Sequence, residues 1–404
     1  MSEVSIIMPT YNRADTIGRA IDSVRRQTFQ DWELIIVDDG STDGTPSVVE
    51  GLDPRIRLIR QQNAGCYVAR NNGLRNSRGK YLTFIDSDDE WFPHFLEITI
   101  AFLKWSPEDQ FVMTKFLEDW GVGPRVKHDR YEVAVKFPRM ARLVGSRMME
   151  LPAGETDDYL RVYDTREPLG DWGRDIALRA GHPEAMLYRG HIFEYLRFGY
   201  LGWLPVTVLT RQALDTIGLF PENYRTAADY RFLGLLYRNY RANMIMLPGA
   251  IKHNKAVGGR DLAEAHLATG FNEYRYASKR LPLFDELFWN ERQSDPEINR
   301  IRGLYQFYAG RTALEHGKRK EALEHLREAA DNVPGLWQAR WLRLFVRMAP
   351  SDRIAGGLYR FYLYLQYVVH RIASEEMGPI DLARLAARKL LSGVRRLKGG
   401  GRGA

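Results

Sequence analysis

The sequence contains few features of a secreted or membrane-spanning protein. Among its 404 residues Cys66 is the only cysteine, so no disulfide can form within the chain, and this usage is typical of a reducing compartment. Its two most hydrophobic stretches, Tyr200–Leu209 and Leu358–Val369, are shorter than the roughly 20 residues that a membrane-spanning helix needs. The N-terminal residues carry no basic and apolar leader pattern. We therefore expect a cytoplasmic protein.

Acidic residues are missing from the C-terminal end. From Arg384 onward there are seven Lys and Arg residues and no Asp or Glu, which equals the formal net charge of +7 for the whole chain. Residues 1–383 are therefore balanced in charge. A neutral body argues against a surface that coats nucleic acid, and we expect no nucleic-acid partner.

The turn after the first predicted strand lacks a glycine-rich phosphate loop. A dinucleotide-binding dehydrogenase would need Gly-x-Gly-x-x-Gly there, and a nucleotidyltransferase would usually carry a glycine-rich loop with Arg or Lys. Residues 9–13 instead read Pro-Thr-Tyr-Asn-Arg. Both classes are therefore disfavoured.

The first hundred residues do contain a regular alternation of short apolar runs and helical patterns. The predicted strands are Val4–Met8, Glu33–Val37, Ile56–Ile59 and Tyr81–Ile85, and the predicted helices are Ala14–Arg26, Thr45–Glu50 and Ala64–Asn76. This rhythm predicts an α/β fold with a mostly parallel sheet and helices on both faces. Ligands of such sheets bind beyond the carboxyl ends of the strands.

Farther along, the pattern predicts three domains. Residues 1–255 include an irregular insertion at 115–200, followed by a strand at Trp203–Thr210, helices at Arg211–Gly218 and Ala228–Arg241, and a short strand at Met244–Leu247. Residues 256–350 are predicted to be helical, with one tetratricopeptide-like hairpin and no second copy at a 34-residue period. Residues 351–404 are expected to form C-terminal helices and a basic tail.

Polar clusters follow three of the predicted strands. They are Pro9-Thr-Tyr-Asn-Arg13, Asp38-Asp-Gly-Ser-Thr-Asp-Gly44 and Asp86-Ser-Asp-Asp89. Each cluster alone is also typical of a surface turn, but three at successive strand ends indicate a site. The carboxylates at 86, 88 and 89 repel one another unless a cation or hydrogen-bond donors neutralise them. A hard divalent ion whose shell is completed by diphosphate oxygens would do so.

These clusters, together with Asn63-Ala-Gly-Cys-Tyr-Val-Ala-Arg-Asn-Asn-Gly73 and Gly79-Lys-Tyr-Leu-Thr-Phe-Ile-Asp86, resemble the family 2 glycosyltransferases. Those are inverting enzymes with the GT-A nucleotide-sugar fold. The resemblance is dense over residues 4–105 and resumes at about 200–255. It does not cover the insertion or the C-terminal third.

The resemblance implies a nucleotide site at the first three clusters. Thr10 and Tyr11 look like nucleotide contacts, with Tyr11 on the base, and Asp39 is similar to the carboxylate that accepts a hydrogen bond from the base. The residues expected to bind the nucleotide are Pro9, Thr10, Tyr11, Arg13, Asp39, Arg70 and Asp86.

The resemblance also implies a metal site for Mn²⁺ or Mg²⁺. Its expected ligands are Asp88, Asp89 and His253, and which of Asp86, Asp88 and Asp89 binds the ion directly is left open. His253 falls where many relatives carry a histidine near the diphosphate or the metal. An exposed loop histidine without a role is the alternative.

Asp229 matches the aspartate that usually serves as catalytic base in this family. The family segment usually ends in Glu-Asp, whereas this chain has Ala228-Asp229, so a role that needs both carboxylates is in doubt. The alternative for Asp229 is an N-cap of the helix that follows.

The expected function is therefore metal-dependent, inverting transfer of a hexose from a nucleotide-diphosphate sugar, by expectation a UDP-sugar, to a hydroxyl of a saccharide or lipid-linked acceptor. Acceptor choice would depend on residues 115–200. The alternative is a catalytically weakened adaptor that acts through its helical C-terminus, and Ala228 is the observation that favours it.

Residues 381–398 are predicted to form a basic amphipathic helix. Leu382, Leu390 and Leu397 lie along one stripe, and most of the cations lie on the other side. Such a helix can rest on an anionic membrane, which would make the protein peripheral at the inner face of the cell membrane. A solvated helix that packs its apolar stripe on the preceding hairpin is the alternative.

Overall fold

The computed structural model describes residues 2–119, 124–126, 148, 150–151, 155–199, 201–224, 226–253, 277–333, 336–349, 351–352 and 355. The chain divides into two compact units, Met1–Tyr305 and Gln306–Ala404. The predicted domain limits at 255 and 350 remain predictions. The predicted basic amphipathic helix at 381–398 lies outside the described residues.

Four parallel strands form the N-terminal half of the sheet. They are β1 (Val4–Thr10), β2 (Trp32–Asp38), β3 (Ile56–Arg60) and β4 (Tyr81–Phe84), in the spatial order β3-β2-β1-β4. The helices between them are α1 (Ile17–Arg25), α2 (Thr45–Val49) and α3 (Cys66–Arg75). Every residue of β1 is buried, as expected for a strand covered on both faces.

Helices do cover both faces of this half. On one face, α1 and α4 (Phe95–Trp105) share a core with Ile6 and Met8. On the other face α3 lies so close to β1 that a Cβ on Gly73 would stand 2.5 Å from Cγ2 of Ile7. The predicted α/β fold class is therefore confirmed.

The second half makes the sheet mixed instead of mostly parallel. Its strands are β5 (Glu90–Trp91), β6 (Phe111–Asp119), β7 (Pro124–Val126), β8 (Thr165–Pro168), β9 (Met186–Gly190), β10 (Thr207–Thr210) and β11 (Ala242–His253). The order continues as β4-β10-β6-β11-β9-β8. β10 is antiparallel to both neighbours, whereas β6 and β11 are parallel. β10 follows a long connection that is not a simple crossover helix, so the sequence pattern does not determine its direction.

The interval 115–200, expected to be irregular, supplies the far edge of this same sheet. β8 and β9 pair with each other, and β9 pairs with β11. The short helix α5 (Arg174–Arg179) lies between them in the sequence. Edge strands of four or five residues are too short to produce a clear alternation, which explains why the sequence pattern did not reveal them.

The chain then forms α6 (Arg211–Ile217), α7 (Ala228–Asn239) and β11, a 12-residue strand of which the predicted Met244–Leu247 is the centre. Helix α8 (Ala277–Phe284) continues into a π-helical turn at Asp285–Trp289.

The rest of the described chain is helical, as predicted, with α9 (Pro296–Glu315), α10 (Arg319–Asn332) and α11 (Trp337–Met348). The amide of Gln306 donates to the Glu328 carboxylate at 2.8 Å, and a Cβ on Gly310 would lie 3.0 Å from Leu326. Small residues therefore let α9 and α10 approach closely where the hairpin is expected. Across the described residues, every helix is too short or too polar to cross a membrane.

Candidate active site

The three polar clusters meet at one edge of the sheet. β1, β2 and β4 are neighbouring parallel strands, so their carboxyl ends, and the residues that follow them, lie side by side. This is the edge at which an α/β sheet binds ligands. Pro9 and Thr10 end β1, Asp39 follows β2, and Asp86 follows β4.

The end of β1 presents an aromatic ring to solvent. Tyr11 is 46% exposed, whereas Thr10 is 3% exposed and its Oγ1 has no hydrogen-bond partner among the described residues. The next residue, Asn12, adopts a left-handed backbone with φ of 50°. Its N–H donates to Ser41 Oγ, and its side-chain oxygen accepts from the N–H of Thr42. The loop after β2 therefore fixes the turn that carries Tyr11.

Asp39 organises the loop that leads into α3. Its buried carboxylate accepts hydrogen bonds from the backbone N–H groups of Ala64 and Gly65 and from the side chain of Gln61, each at 2.8 Å. A hydrogen bond from a nucleotide base would have to be added to these three. The base-binding role of Asp39 stays a prediction, and its positioning of the loop is an additional role.

Arg70 and Asp86 form an ion pair whose cation is buried. Nη2 of Arg70 lies 2.5 Å from Oδ1 of Asp86, and the Arg70 side chain is 9% exposed. Burial lowers the pKa of Arg70, but the surrounding groups, with the Asp86 carboxylate the largest among them, together outweigh burial and raise the pKa overall. The ion pair joins Arg70 of α3 to Asp86 at the end of β4, so these two predicted nucleotide contacts lie side by side.

Two arginines hold Asp88. Nη2 of Arg13 lies 3.3 Å from the Asp88 carboxylate, and Arg19 on α1 donates to the Asp88 carbonyl oxygen at 2.7 Å. The Asp88 side chain is 27% exposed, so a ligand can reach it.

Asp89 is buried and points toward the backbone of His253. Its carboxylate accepts the N–H of His253 at 3.0 Å. Burial, and then the charges of Asp86 and Asp88, raise the pKa of Asp89 well above its ordinary value. Asp86 and Asp88 therefore lie close enough to Asp89 for their charges to disfavour its ionised form.

The imidazole of His253 lies between two other carboxylates. Its Nε2 is 3.4 Å from Glu90 and its Nδ1 is 3.3 Å from Asp119. A role as metal ligand would require exchanging one of these contacts for the ion. Within the part of the chain that the structure describes, no three His, Cys, Asp or Glu side chains converge to hold a metal by themselves. The metal roles of Asp88, Asp89 and His253 stay predictions.

Asp229 lies in the first turn of α7. Ala227, with a left-handed φ of 68°, occupies the N-cap position, so Asp229 is not the capping residue that the sequence offered as an alternative. Its Oδ1 accepts a hydrogen bond from the hydroxyl of Tyr67 at 3.1 Å. Since Tyr67 lies on α3, the candidate base is tied to the helix that carries Arg70.

Asn71 holds the segment before α7 against α3. Its side chain donates to the carbonyl of Phe220 and accepts the N–H of the same residue. Neither Tyr67 nor Asn71 is among the site residues predicted from the sequence. Both lie in Cys66-Tyr-Val-Ala-Arg-Asn71, so the stretch was recognised but their long-range partners were not.

These clusters lie in a part of the chain that is similar to a known protein family. Residues 5–163 match the family described as Glycosyl transferase family 2. Over 102 residues the chain is 44% identical to the UDP-Glc:alpha-D-GlcNAc-diphosphoundecaprenol beta-1,3-glucosyltransferase WfgD of Escherichia coli, covering 25% of this chain and 40% of that protein. It is 29% identical over 210 residues to the glycosyltransferase GlyA of Streptococcus pneumoniae serotype 4, covering 50% of this chain and 26% of that protein. The chain thus spans less than half the length of these curated relatives.

The fold likeness extends farther than the sequence likeness. The crystal structure of S. aureus TarS 1-349 superposes with a TM-score of 0.52 and 17% identity, over 90% of this chain and 91% of that one. At this identity the likeness concerns the fold alone. The match to glycosyl transferase family 2 contains all three strand-end clusters and lies within residues 5–163, so this part of the chain is similar to that family.

Proposed function

We propose that the protein is an inverting glycosyltransferase that moves a hexose from a nucleotide-diphosphate sugar to an acceptor hydroxyl. The observation that carries the proposal is the link from Asp229 through Tyr67 to α3, and from Arg70 on α3 to Asp86. Through these two contacts, α3 links the candidate base to the candidate nucleotide contacts.

The nucleotide would lie across the ends of β1, β2 and β4. Tyr11 would stack on the base. Thr10, whose buried hydroxyl has no hydrogen-bond partner in the part of the chain that the structure describes, would donate to the nucleotide. Arg13 and Arg70 would supply positive charge beside the diphosphate, and Asp86 would accept from the ribose.

The reaction needs a base because an acceptor hydroxyl is a poor nucleophile. Asp229 would take the hydroxyl proton as the oxygen attacks the anomeric carbon. The bond between that carbon and the diphosphate oxygen breaks, and the nucleoside diphosphate leaves with the electron pair. Attack from the opposite face inverts the anomeric configuration.

A divalent metal fits the chemistry of the acidic loop. Asp88 is reachable and offers carboxylate oxygens, which Mn²⁺ and Mg²⁺ prefer, and the mutual charge among Asp86, Asp88 and Asp89 is the charge that a cation would offset. When bound, such an ion supplies positive charge for the leaving diphosphate. Because no three protein ligands converge within the described residues, diphosphate oxygens would have to complete its shell.

UDP is the expected nucleotide, and a saccharide or lipid-linked molecule is the expected acceptor. The E. coli relative is named for a UDP-glucose donor and a diphosphoundecaprenol-linked acceptor, which supports both expectations. Contact with an anionic membrane through residues 381–398 would suit such an acceptor.

The adaptor alternative rests on Ala228, which is completely buried in the first turn of α7. It predicts that no nucleotide sugar is turned over.

A screen of UDP-sugars tests the proposal. The protein is incubated with each donor and Mn²⁺, and release of UDP is measured with and without added saccharide acceptors. We expect one donor to be turned over, and Asp229→Asn to lower transfer at least about 100-fold while donor affinity changes little. If no nucleotide sugar binds or is turned over, the adaptor alternative is favoured.

A further inference from the structure

Tyr67 connects the two sides of the candidate site. It is the second residue of α3, one helical turn before Arg70. Its hydroxyl donates to Oδ1 of Asp229 across 162 positions of sequence. The same Oδ1 also accepts the N–H of Tyr230. Two donors on one oxygen restrict rotation of the carboxylate.

The ring of Tyr67 is held on a stack of aromatic residues. It is buried and lies on Phe220, with ring centroids 5.6 Å apart and an angle of 27°. Phe220 in turn stacks on Phe232 of α7 at 4.1 Å and 12°. Because Phe232 and Asp229 share one helix, the stack and the hydrogen bond join the same two elements at two points.

The Tyr67 hydroxyl stays a donor across the working pH range. Burial, and then the Asp229 carboxylate, raise the pKa of Tyr67 well above its ordinary value. A phenol that keeps its proton can donate to a carboxylate but cannot compete with Asp229 for the proton of an acceptor. This excludes Tyr67 as the base and leaves it an orienting role.

We propose that Tyr67 is a positioning residue for Asp229, which aims the carboxylate at the acceptor hydroxyl by donating to Oδ1. The inference rests on the proposed function, because it concerns how the candidate base is held. In the transfer step the acceptor proton moves to Asp229, and the phenol keeps its own proton throughout. Tyr67 therefore affects the reaction through the position of the Asp229 carboxylate. A small displacement of a reacting group can lower the rate strongly.

Tyr67→Phe tests the proposal because it removes the hydroxyl and keeps the ring on Phe220. Tyr237→Phe is the matched control: Tyr237 is another buried tyrosine, and its hydroxyl donates to the Leu201 carbonyl at 2.7 Å, away from Asp229. Both variants are compared with the wild-type protein, with Asp229→Asn and with the Tyr67→Phe/Asp229→Asn double variant. The measurements are kcat, KM for donor and acceptor, and Tm, using the donor identified in the UDP-sugar screen.

We expect Tyr67→Phe to lower kcat about 10- to 100-fold, the range for a hydrogen bond to a charged group, with little change in either KM. In the Asp229→Asn background the same change should have no further effect, because there is no longer a base to aim. Tyr237→Phe should lower Tm by about as much as Tyr67→Phe does, and it should leave kcat near the wild-type value.

The outcomes separate the inference from the proposed function. If Asp229→Asn abolishes transfer and Tyr67→Phe behaves like Tyr237→Phe, the positioning role is wrong and the base assignment stands. Equal losses from Tyr67→Phe in both backgrounds would also overturn it, because its effect would then not act through Asp229. If Asp229→Asn retains normal turnover, the base assignment fails and the role of Tyr67 fails with it.

Discussion

Arg70 and Asp86 are joined by an ion pair whose cation is buried and whose carboxylate is only partly covered, with side-chain exposures of 9% and 30%. The guanidinium also lies 5.4 Å from the ring centroid of Tyr67 and 6.0 Å from that of Phe220. Arg70 is therefore surrounded by the groups that hold α3 to the segment before α7. Its charge serves the packing of the domain as well as any bound nucleotide.

This pair gives a stability prediction that is independent of the reaction. Asp86→Asn leaves the buried guanidinium of Arg70 without its counter-ion and should lower the free energy of unfolding by about 3 kcal/mol, whereas Arg70→Gln leaves a partly exposed carboxylate and should cost less. The double variant should lose less than the sum, because the remaining charge is then absent too. Urea unfolding of the four proteins measures the coupling. Additive losses would mean that the two residues act separately.

The acidic loop gives a prediction about metal. We expect excess chelator to stop sugar transfer, and Asp88→Asn to raise the Mn²⁺ concentration needed for half-maximal activity at least about ten-fold, since a carboxylate ligand is lost. Asp22→Asn is the matched control, because Asp22 is an exposed acidic residue of α1 that pairs with Arg25. Full activity in excess chelator would remove metal from the mechanism.

Cys66 offers a direct probe of nucleotide binding. This exposed thiol begins α3, and its Sγ lies 3.9 Å from Nη1 of Arg70. A nucleotide at Asp86 would cover it, so saturating UDP with Mn²⁺ should slow its alkylation by N-ethylmaleimide several-fold. The labelling rate is followed by mass spectrometry.

The control for this probe is a thiol at the opposite edge of the sheet. Leu52 is 39% exposed and precedes β3, so it lies near the amino ends of the parallel strands. Leu52→Cys in a Cys66→Ser background should be labelled at the same rate with and without UDP. If UDP binds and the Cys66 rate does not change, the nucleotide does not lie across this edge.

Local pattern was sufficient to predict the half of the fold in which sequence neighbours are also spatial neighbours. β1 to β4 alternate with helices, so the positions of Asp39 and Asp86 at strand ends followed from periodicity and the sheet rule. Their hydrogen-bond partners did not follow. The three donors to Asp39 come from one loop whose backbone conformation has no periodic signal.

Contacts between segments that are distant in sequence could not be predicted from periodicity and the sheet rule. Tyr67 reaches Asp229 only because β10 enters the sheet antiparallel beside β4 and the chain then turns into α6 and α7. Neither the direction of β10 nor the edge strands β8 and β9 is encoded in a short window of sequence. The alternative role of Asp229 as an N-cap could be rejected only when Ala227 was found in that position.

The two basic segments of the C-terminal unit give a prediction about membranes. Helix α11 carries Arg340, Arg343 and Arg347 with no acidic residue, and its Trp341 and Met348 are 65% and 75% exposed. The predicted helix at 381–398 is also basic and amphipathic, with Asp381 as its one acidic residue. Each cation near an anionic surface contributes about 1 kcal/mol, so either segment could bind vesicles, and the experiment has to separate them.

We expect the full chain to cosediment with phosphatidylglycerol vesicles and not with phosphatidylcholine vesicles, and binding to weaken in high salt because the attraction is screened. A chain that ends at residue 378 should lose most of this binding if 381–398 is the contact. Trp341→Ser/Met348→Ser in the full chain is the matched comparison, because it removes the exposed apolar side chains of α11 and keeps the tail. Equal binding by the full and shortened chains would exclude the tail as the contact. If the α11 variant alone loses binding, the contact lies on α11, where Trp341 and its neighbouring arginines can reach an interface together.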